Sequence, residues 1–284
     1  MIVQVVFSGI LMGLIYALVA VGLTLIWGVM DIINFAHGDL MMWGMFTAYW
    51  AFTLFGIDPL ASIPLSALGL FVLGVLLYKL IIKRIVDAPL ITALLATYGL
   101  SLILKNSALL SFGPDYRTVN NPLLEGSWSL GGLIISKPKS IGGLISIVVI
   151  YSIYLFIKKT QAGRAIQAIS MDRTAARLVG INDEQLFTIT FGLGAACTGI
   201  AGAILANFFT ISPEAGSTYV LLSFVIVALG GFGSINGALA AGVLVGIVSS
   251  LCGFYFSPAY QFAIIFVAYL AVVMVRPEKG LFGW

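Results

Sequence analysis

The sequence predicts an all-α integral membrane protein, a polytopic bundle of about eight to nine transmembrane segments with interrupted helices and one short polar helix on the cytoplasmic side. The chain of 284 residues is 61% hydrophobic and only 9% charged, whereas soluble domains carry about 25% charged residues. Its apolar runs are continuous rather than alternating, and most reach the roughly 20 residues that a helix needs to cross a bilayer. Spanning backbone must satisfy its own hydrogen bonds, and such runs do so as helices.

The apolar segments give the order of the helices. The seventh is too short to span and ends in a glycine-rich break at residues 230–234, which predicts a half-helix or a strongly tilted one. The segments cover residues 2–27, 34–56, 59–82, 90–112, 141–157, 186–211, 219–230, 236–252 and 258–275.

The distribution of lysine and arginine predicts the orientation, because cytoplasmic loops carry an excess of both. Three basic clusters fall on one side, which we assign to the cytoplasm together with the C-terminus, and the N-terminus is then outside. The clusters are Lys79, Lys83 and Arg84; Lys158, Lys159, Arg164, Arg173 and Arg177; and Arg276 and Lys279. The opposite side has Arg117, Lys137 and Lys139.

Residues 1–284 are predicted to form a single transmembrane domain. The outer loop, residues 113–140, is punctuated by glycine and proline, and Trp128–Ser136 is predicted to form a short extended pair. A weak similarity between the first and last thirds of the chain suggests an internal repeat, as in many transporters.

The sequence argues against several classes of function. It has one histidine, no GxxxxGK[ST] phosphate loop and no nucleophile or metal-ligand motif, so we expect neither an enzyme nor a metal protein. The net charge of +3 reflects basic residues beside membrane segments, so we expect no nucleic-acid partner. Cys197 and Cys252 lie in apolar runs without metal or disulfide spacing.

The sharpest polar cluster inside the apolar sequence runs from Asp31 to Asp39. It places two carboxylates, Asn34 and the only imidazole, His37, between two apolar segments. Ionisable groups at membrane depth are expensive and usually functional, which favours a substrate path or gate. An interfacial turn in which Asp39 caps the following helix is an equally good interpretation.

Other polar positions have simpler interpretations. Lys105, beside Asn106, lies late in the fourth segment and is expected to extend towards the outer interface. Glu214 is expected to be a solvated residue of an outer loop.

Residues 158–184 form a polar, mostly basic island. Residues 164–179 have helical composition, and Gly180 then supplies a helix stop. Ile166, Ile169 and Ala176 share one side of that helix. Such an element docks in a groove of a protein partner or rests on anionic lipid.

Several stretches, taken in order, resemble the permeases of branched-chain amino-acid ABC importers, and specifically the shorter of the two permease types. The resemblance spans nearly the whole chain. Its motifs are GLIYAL at residues 13–18, GLTLIWG at 22–28, INFAHGD at 33–39, GRA at 163–165, residues 172–182, GGFGSING at 230–237 and RPEKGLFG at 276–283.

The resemblance implies an assembly in the plasma (inner) membrane of a bacterium or archaeon. The partners would be a second homologous permease, two cytoplasmic ATPases and a periplasmic or extracellular solute-binding protein, with lipid around the helices. ATP would be used by the ATPases, and this chain would need no cofactor. The island would contain the coupling helix, with coupling residues Asp172, Arg173, Ala175, Ala176, Leu178 and Gly180.

The predicted function is therefore the permease subunit of an ATP-driven importer of branched-chain or other hydrophobic amino acids. Candidate residues for the substrate path or gate are Asn34, His37, Gly38 and Asp39. The same machine could instead carry urea or short amides, and a stand-alone secondary transporter is the remaining alternative.

Overall fold

The computed structural model describes residues 1–119, 126–130, 133–257 and 260–275. Within these residues the chain forms eleven α-helices, a 3-10 turn at Ile82–Arg84 and one antiparallel hairpin. The helices are α1 (Ile2–Met30), α2 (His37–Phe55), α3 (Ile63–Leu80), α4 (Leu90–Phe112), α5 (Lys137–Lys159), α6 (Gln161–Met171), α7 (Arg173–Leu178), α8 (Asp183–Leu205), α9 (Ala215–Gly230), α10 (Ile235–Tyr255) and α11 (Gln261–Val275). The strands are β1 (Ser127–Leu130) and β2 (Leu133–Ser136).

These elements confirm the predicted all-α polytopic class. In the described part of the chain, six helices are long and apolar enough to cross a bilayer: α1, α3 with its 3-10 extension, α4, α5, α8 and α10. The helices α9 and α11 are apolar but shorter. The hairpin confirms the extended pair predicted within the outer loop. The terminal motif at 276–283, with its basic cluster, lies outside the described residues.

The two ends of the bundle are identified by contacts with the hairpin and with α6. The Gln4 side chain donates to the Ile134 carbonyl at 3.2 Å, so α1 begins on the side of the hairpin, the hairpin face. The far end of α1 packs against α6, and α7 follows α6 directly, so this opposite end is named the α6–α7 face. The helix α1 therefore crosses the whole bundle.

Helices from the two ends of the chain pack in a related pattern. The helix α1 packs along α10, and α8 packs along α3 in the corresponding way. At the centre, α1 and α8 cross where Gly22 faces Gly194: a Cβ added to either glycine would lie within 2.8 Å of the other's carbonyl oxygen. Small residues allow such close backbone approach in lipid. The arrangement agrees with the internal repeat suggested by the sequence.

Two helices start inside the bundle rather than at its ends. The helix α2 begins at His37, whose ring contacts the Val19 carbonyl part-way along α1, and Asp39 contacts Ser101 near the middle of α4. The helix α9 begins beside α2, because Gly216 packs directly on Gly38. From this shared depth α2 runs to the hairpin face and α9 to the α6–α7 face. The predicted break before α2 therefore lies at mid-depth, whereas the predicted glycine-rich break at 230–234 lies at the α6–α7 face, where Phe232 stacks on Trp27.

Candidate functional site

The chain re-enters the bundle between α1 and α2. Asp31 ends α1 in a left-handed conformation with φ 55°, the only positive φ of a non-glycine residue among those described. The chain then runs back along α1 without helical structure, and the Thr97 hydroxyl of α4 donates to the Ile33 carbonyl at 2.8 Å. This return brings the predicted path residues to mid-depth instead of leaving them at the interface.

Asn34 and His37 are fully buried there. The Asn34 Oδ1 accepts the Ala36 N–H at 3.1 Å. The His37 Nε2 lies 2.9 Å from the Val19 carbonyl, and because a carbonyl only accepts, Nε2 carries the proton. Asn34 Nδ2 and His37 Nδ1 have no hydrogen-bond partner among the described residues. Buried polar atoms are usually satisfied, so these two atoms have unused hydrogen-bonding capacity inside the bundle.

Asp39 does not cap α2, so the capping interpretation is wrong. It lies in the first turn of the helix, where no side chain caps a backbone N–H, and its Oδ2 accepts the Ser101 hydroxyl at 2.5 Å. The reason is the depth of the helix start, which brings Asp39 against the middle of α4. A carboxylate in the first turn is also stabilised by the helix dipole.

Gly38 holds α2 against α9. An added Cβ at Gly38 would lie 2.1 Å from the Gly216 carbonyl oxygen and 2.8 Å from the Cβ of Val220. A Cβ at Gly216 would in turn lie 2.7 Å from Asp39 Oδ1. The two helix starts therefore touch through glycine, and all four predicted path residues lie at or beside this crossing.

The structure joins Lys105 and Glu214, which the sequence interpretation treated separately. They form an ion pair with Nζ and Oε2 2.5 Å apart, and the Glu214 side chain is 65% exposed, in agreement with the expected solvated residue. The cause is the entry of the chain between α8 and α9 into the bundle, which brings Glu214 down to α4. Sequence reasoning did not connect the two residues, although an ionisable residue inside a span is a functional candidate by default.

The polar island also differs from prediction in one respect: the single helix over residues 164–179 is divided into α6 and α7. Asp172 leaves the helical conformation (φ −154°, ψ 102°) and its side chain caps α7, accepting the N–H groups of Thr174 and Ala175. Capping by aspartate competes with continued helix, and that local preference prevails here. Gly180, with φ 85°, follows the end of α7 and stops the helix as predicted.

Arg173 ties the island to the rest of the chain. Its guanidinium bonds Asp87, after the 3-10 turn, and Asp183, the first residue of α8, and it stacks over the Phe187 ring at 4.8 Å. Arg177 also binds Asp183, at 2.6 Å. Partial burial opposes the charge of Arg173, but its bonds to the two aspartates raise its pKa above the ordinary value. The arginine is therefore a charged clamp within the chain.

The remaining island residues divide into an inward and an outward face. Ile166, Ile169 and Ala176 are buried, which confirms their predicted common side. Ala176 thus packs against its own chain, whereas Leu178 is 85% exposed. The exposed residues of the predicted coupling set are Asp172, Ala175, Leu178 and Gly180.

A cavity of about 800 Å³ lies between the island and the end of α1. It lies between the end of α1, the loop between α9 and α10, and the inner side of α6 and α7. At its edge the Trp27 and Phe232 rings stack with their centroids 4.5 Å apart. Its lining includes Trp27, Asp31, Ile169, Arg173, Phe187 and Phe232. The island therefore shares this cavity with the end of α1 and with the loop between α9 and α10.

Polar groups at mid-depth between two interrupted helices, in a bundle of apolar crossing helices, are typical of membrane transport proteins. The comparison with known sequences then gives the family. The chain belongs to the permease components of branched-chain amino acid transport systems, whose sequence model matches residues 5–274.

Individual relatives agree with that assignment. The chain is 31% identical to the high-affinity branched-chain amino acid permease LivH of Escherichia coli, covering 99% of this chain and 95% of the relative. It is 30% identical to BraD of Pseudomonas aeruginosa, covering 97% and 94%. A more distant relative is the ribose import permease RbsC of Escherichia coli, 27% identical over 66% of this chain and 61% of the relative. No solved structure matches the chain.

Proposed function

We propose that this chain is the transmembrane permease subunit of an ATP-driven ABC importer for branched-chain or other hydrophobic amino acids, in the plasma membrane of a bacterium or archaeon. The observation that carries the proposal is the α6–α7 segment. It presents Leu178 outward, while its inner side lines the cavity at the end of α1. An external ATPase that moves this segment acts directly on the residues around this cavity.

The remaining parts of the machine lie in other chains. Two cytoplasmic ATPases dock on the α6–α7 face, a second homologous permease completes the path, and a solute-binding protein docks on the hairpin face. The hairpin face is then outside and the C-terminus cytoplasmic. The chain acts as a single domain, with the substrate passing the crossing of α2 and α9 beside Asn34, His37, Gly38 and Asp39.

The cargo is proposed from the relatives that are named as branched-chain amino acid permeases. RbsC, a relative with a sugar cargo by its name, indicates that the family name alone does not fix the solute. Urea or a short amide is therefore the second candidate cargo for the same machine.

The test is uptake of radiolabelled leucine into vesicles that contain this chain with its neighbouring permease, ATPases and binding protein. We expect leucine to accumulate, with competition by isoleucine and valine and none by urea or acetamide. Uptake of urea or acetamide, without uptake of leucine, would replace the cargo and keep the machine. A complex that accumulates none of these solutes contradicts the proposal.

A further inference from the structure

Lys105 and Glu214 form an ion pair at a depth where charges are rare. Lys105 lies seven residues before the end of α4 at Phe112, which at 1.5 Å per residue is about 10 Å inside the helix end. Glu214 immediately precedes α9, which begins beside Asp39. The pair therefore lies within the membrane-crossing part of the bundle, on the hairpin side of the crossing of α2 and α9.

The pair is on the surface of this chain and not in its core. The Lys105 side chain is 32% exposed and that of Glu214 is 65% exposed. Charged groups at membrane depth almost always face protein or a water-filled cavity, because exposure to lipid is costly. This side of α4 and α9 is therefore a face that borders water or another protein.

Asp39 adds a third charge to the same place. It is held by Ser101, one helical turn before Lys105 on α4, and Gly216 of α9 packs on its carboxylate. Lys105 and Glu214 both interact electrostatically with it. One ammonium and two carboxylates thus surround the starts of two helices, where the dipoles favour negative charge.

We propose that Lys105, Glu214 and Asp39 form a recognition site for a zwitterion on the substrate path. Lys105 binds the α-carboxylate of an amino acid and Glu214 binds its α-ammonium, while Asp39, which is 3% exposed and held by Ser101, adds negative charge behind the ammonium without contacting it. In the empty protein Lys105 and Glu214 neutralise each other, and the bound amino acid exchanges its own two charges for that contact. The inference rests on the proposed amino-acid cargo and extends it, because a solute without charges gains nothing from this site.

The experiment measures equilibrium binding of radiolabelled leucine to the purified complex of this chain, the second permease and the ATPases, without the binding protein. Wild-type binding is competed by unlabelled leucine, by leucinol, which has only the ammonium, and by isocaproate, which has only the carboxylate. We expect leucine to compete about tenfold to hundredfold more strongly than either. Lys105→Met and Glu214→Gln are each expected to weaken leucine affinity by about tenfold to hundredfold, because each variant loses one charge-assisted hydrogen bond.

Two controls separate recognition from assembly. Lys83→Met removes a comparable ion pair, Lys83 to Glu184 at 2.6 Å with both side chains about half exposed, and is expected to leave leucine affinity unchanged. Co-purification of the second permease with Lys105→Met and Glu214→Gln is expected to match that of wild type.

The other outcomes overturn the inference in distinguishable ways. Unchanged leucine affinity in both variants means that the pair does not bind substrate. Loss of the second permease from the variants makes the pair an assembly contact. If wild-type vesicles accumulate leucine with ATP but the complex binds no leucine, the site is wrong and the proposed function stands. If wild-type vesicles accumulate no leucine, the proposed function itself fails.

Discussion

Replacing Gly38 by alanine tests the crossing of α2 and α9 with a single methyl group. The added Cβ would lie 2.1 Å from the Gly216 carbonyl oxygen, whereas a carbon and a carbonyl oxygen in close contact are about 3.3 Å apart. The helices would have to separate by about 1.2 Å at this point. The obstacle is backbone, so no side-chain rotation relieves it.

The energetic consequence is that of overpacking in a tightly packed interior, which costs about 1–3 kcal/mol and occasionally more. We place Gly38→Ala near 3 kcal/mol because Val220 is also only 2.8 Å from the added carbon. For a chain of this size that corresponds to a decrease in Tm of about 6–12 °C. We also expect loss of substrate uptake, because the polar groups of the path lie beside the displaced contact.

Gly99→Ala is the matched control. Gly99 lies within α4, and a Cβ added there would have no other atom within 4 Å. Alanine stabilises a helix interior by about 0.8–1 kcal/mol over glycine, so this variant is expected to keep or slightly increase Tm. Both variants are measured by thermal unfolding in detergent and by leucine uptake. A Gly38→Ala protein as stable and active as Gly99→Ala would refute the described contact between the helix starts.

Three further variants test the α6–α7 segment. Leu178→Asp is expected to leave Tm unchanged, since the side chain is 85% exposed. It is also expected to abolish the ATP hydrolysis that the loaded binding protein stimulates, and normal stimulation would argue against docking of the ATPase at this residue. Ala176→Asp should instead lower Tm, because it places a charge at a position that is 4% exposed; an unchanged Tm contradicts the described burial. Arg173→Ala releases the clamp on Asp87 and Asp183 and should permit ATP hydrolysis without uptake, whereas uptake in proportion to hydrolysis would exclude a coupling role.

The features that the sequence predicts correctly have local causes. The apolar lengths give the crossing helices, glycine and proline bound the hairpin loop, and Gly180 stops α7 through its positive φ. The shared side of Ile166 and Ile169 follows from helical periodicity. Each of these signals lies within a few neighbouring residues, so no knowledge of the tertiary structure is needed.

The features that the sequence misses depend on contacts between distant segments. Asp39 has a good capping position in the sequence, but the return of the chain along α1 places it against Ser101. Lys105 and Glu214 are far apart in the sequence, and only the depth at which α9 begins joins them. The division of the island helix at Asp172 has a local cause, the capping of α7 by that residue. It is missed because the helix propensity of the whole segment favours one continuous helix over a break at a single capping residue.

The most direct test of the account is the dependence of leucine uptake on the partner ATPases. Vesicles with the complete complex are compared with vesicles that lack the ATPases, and with vesicles that contain this chain alone under an imposed ion gradient. We predict accumulation only in the complete complex, and only with hydrolysable ATP inside. Accumulation by the chain alone, driven by the ion gradient, would contradict the account and make the protein a secondary transporter.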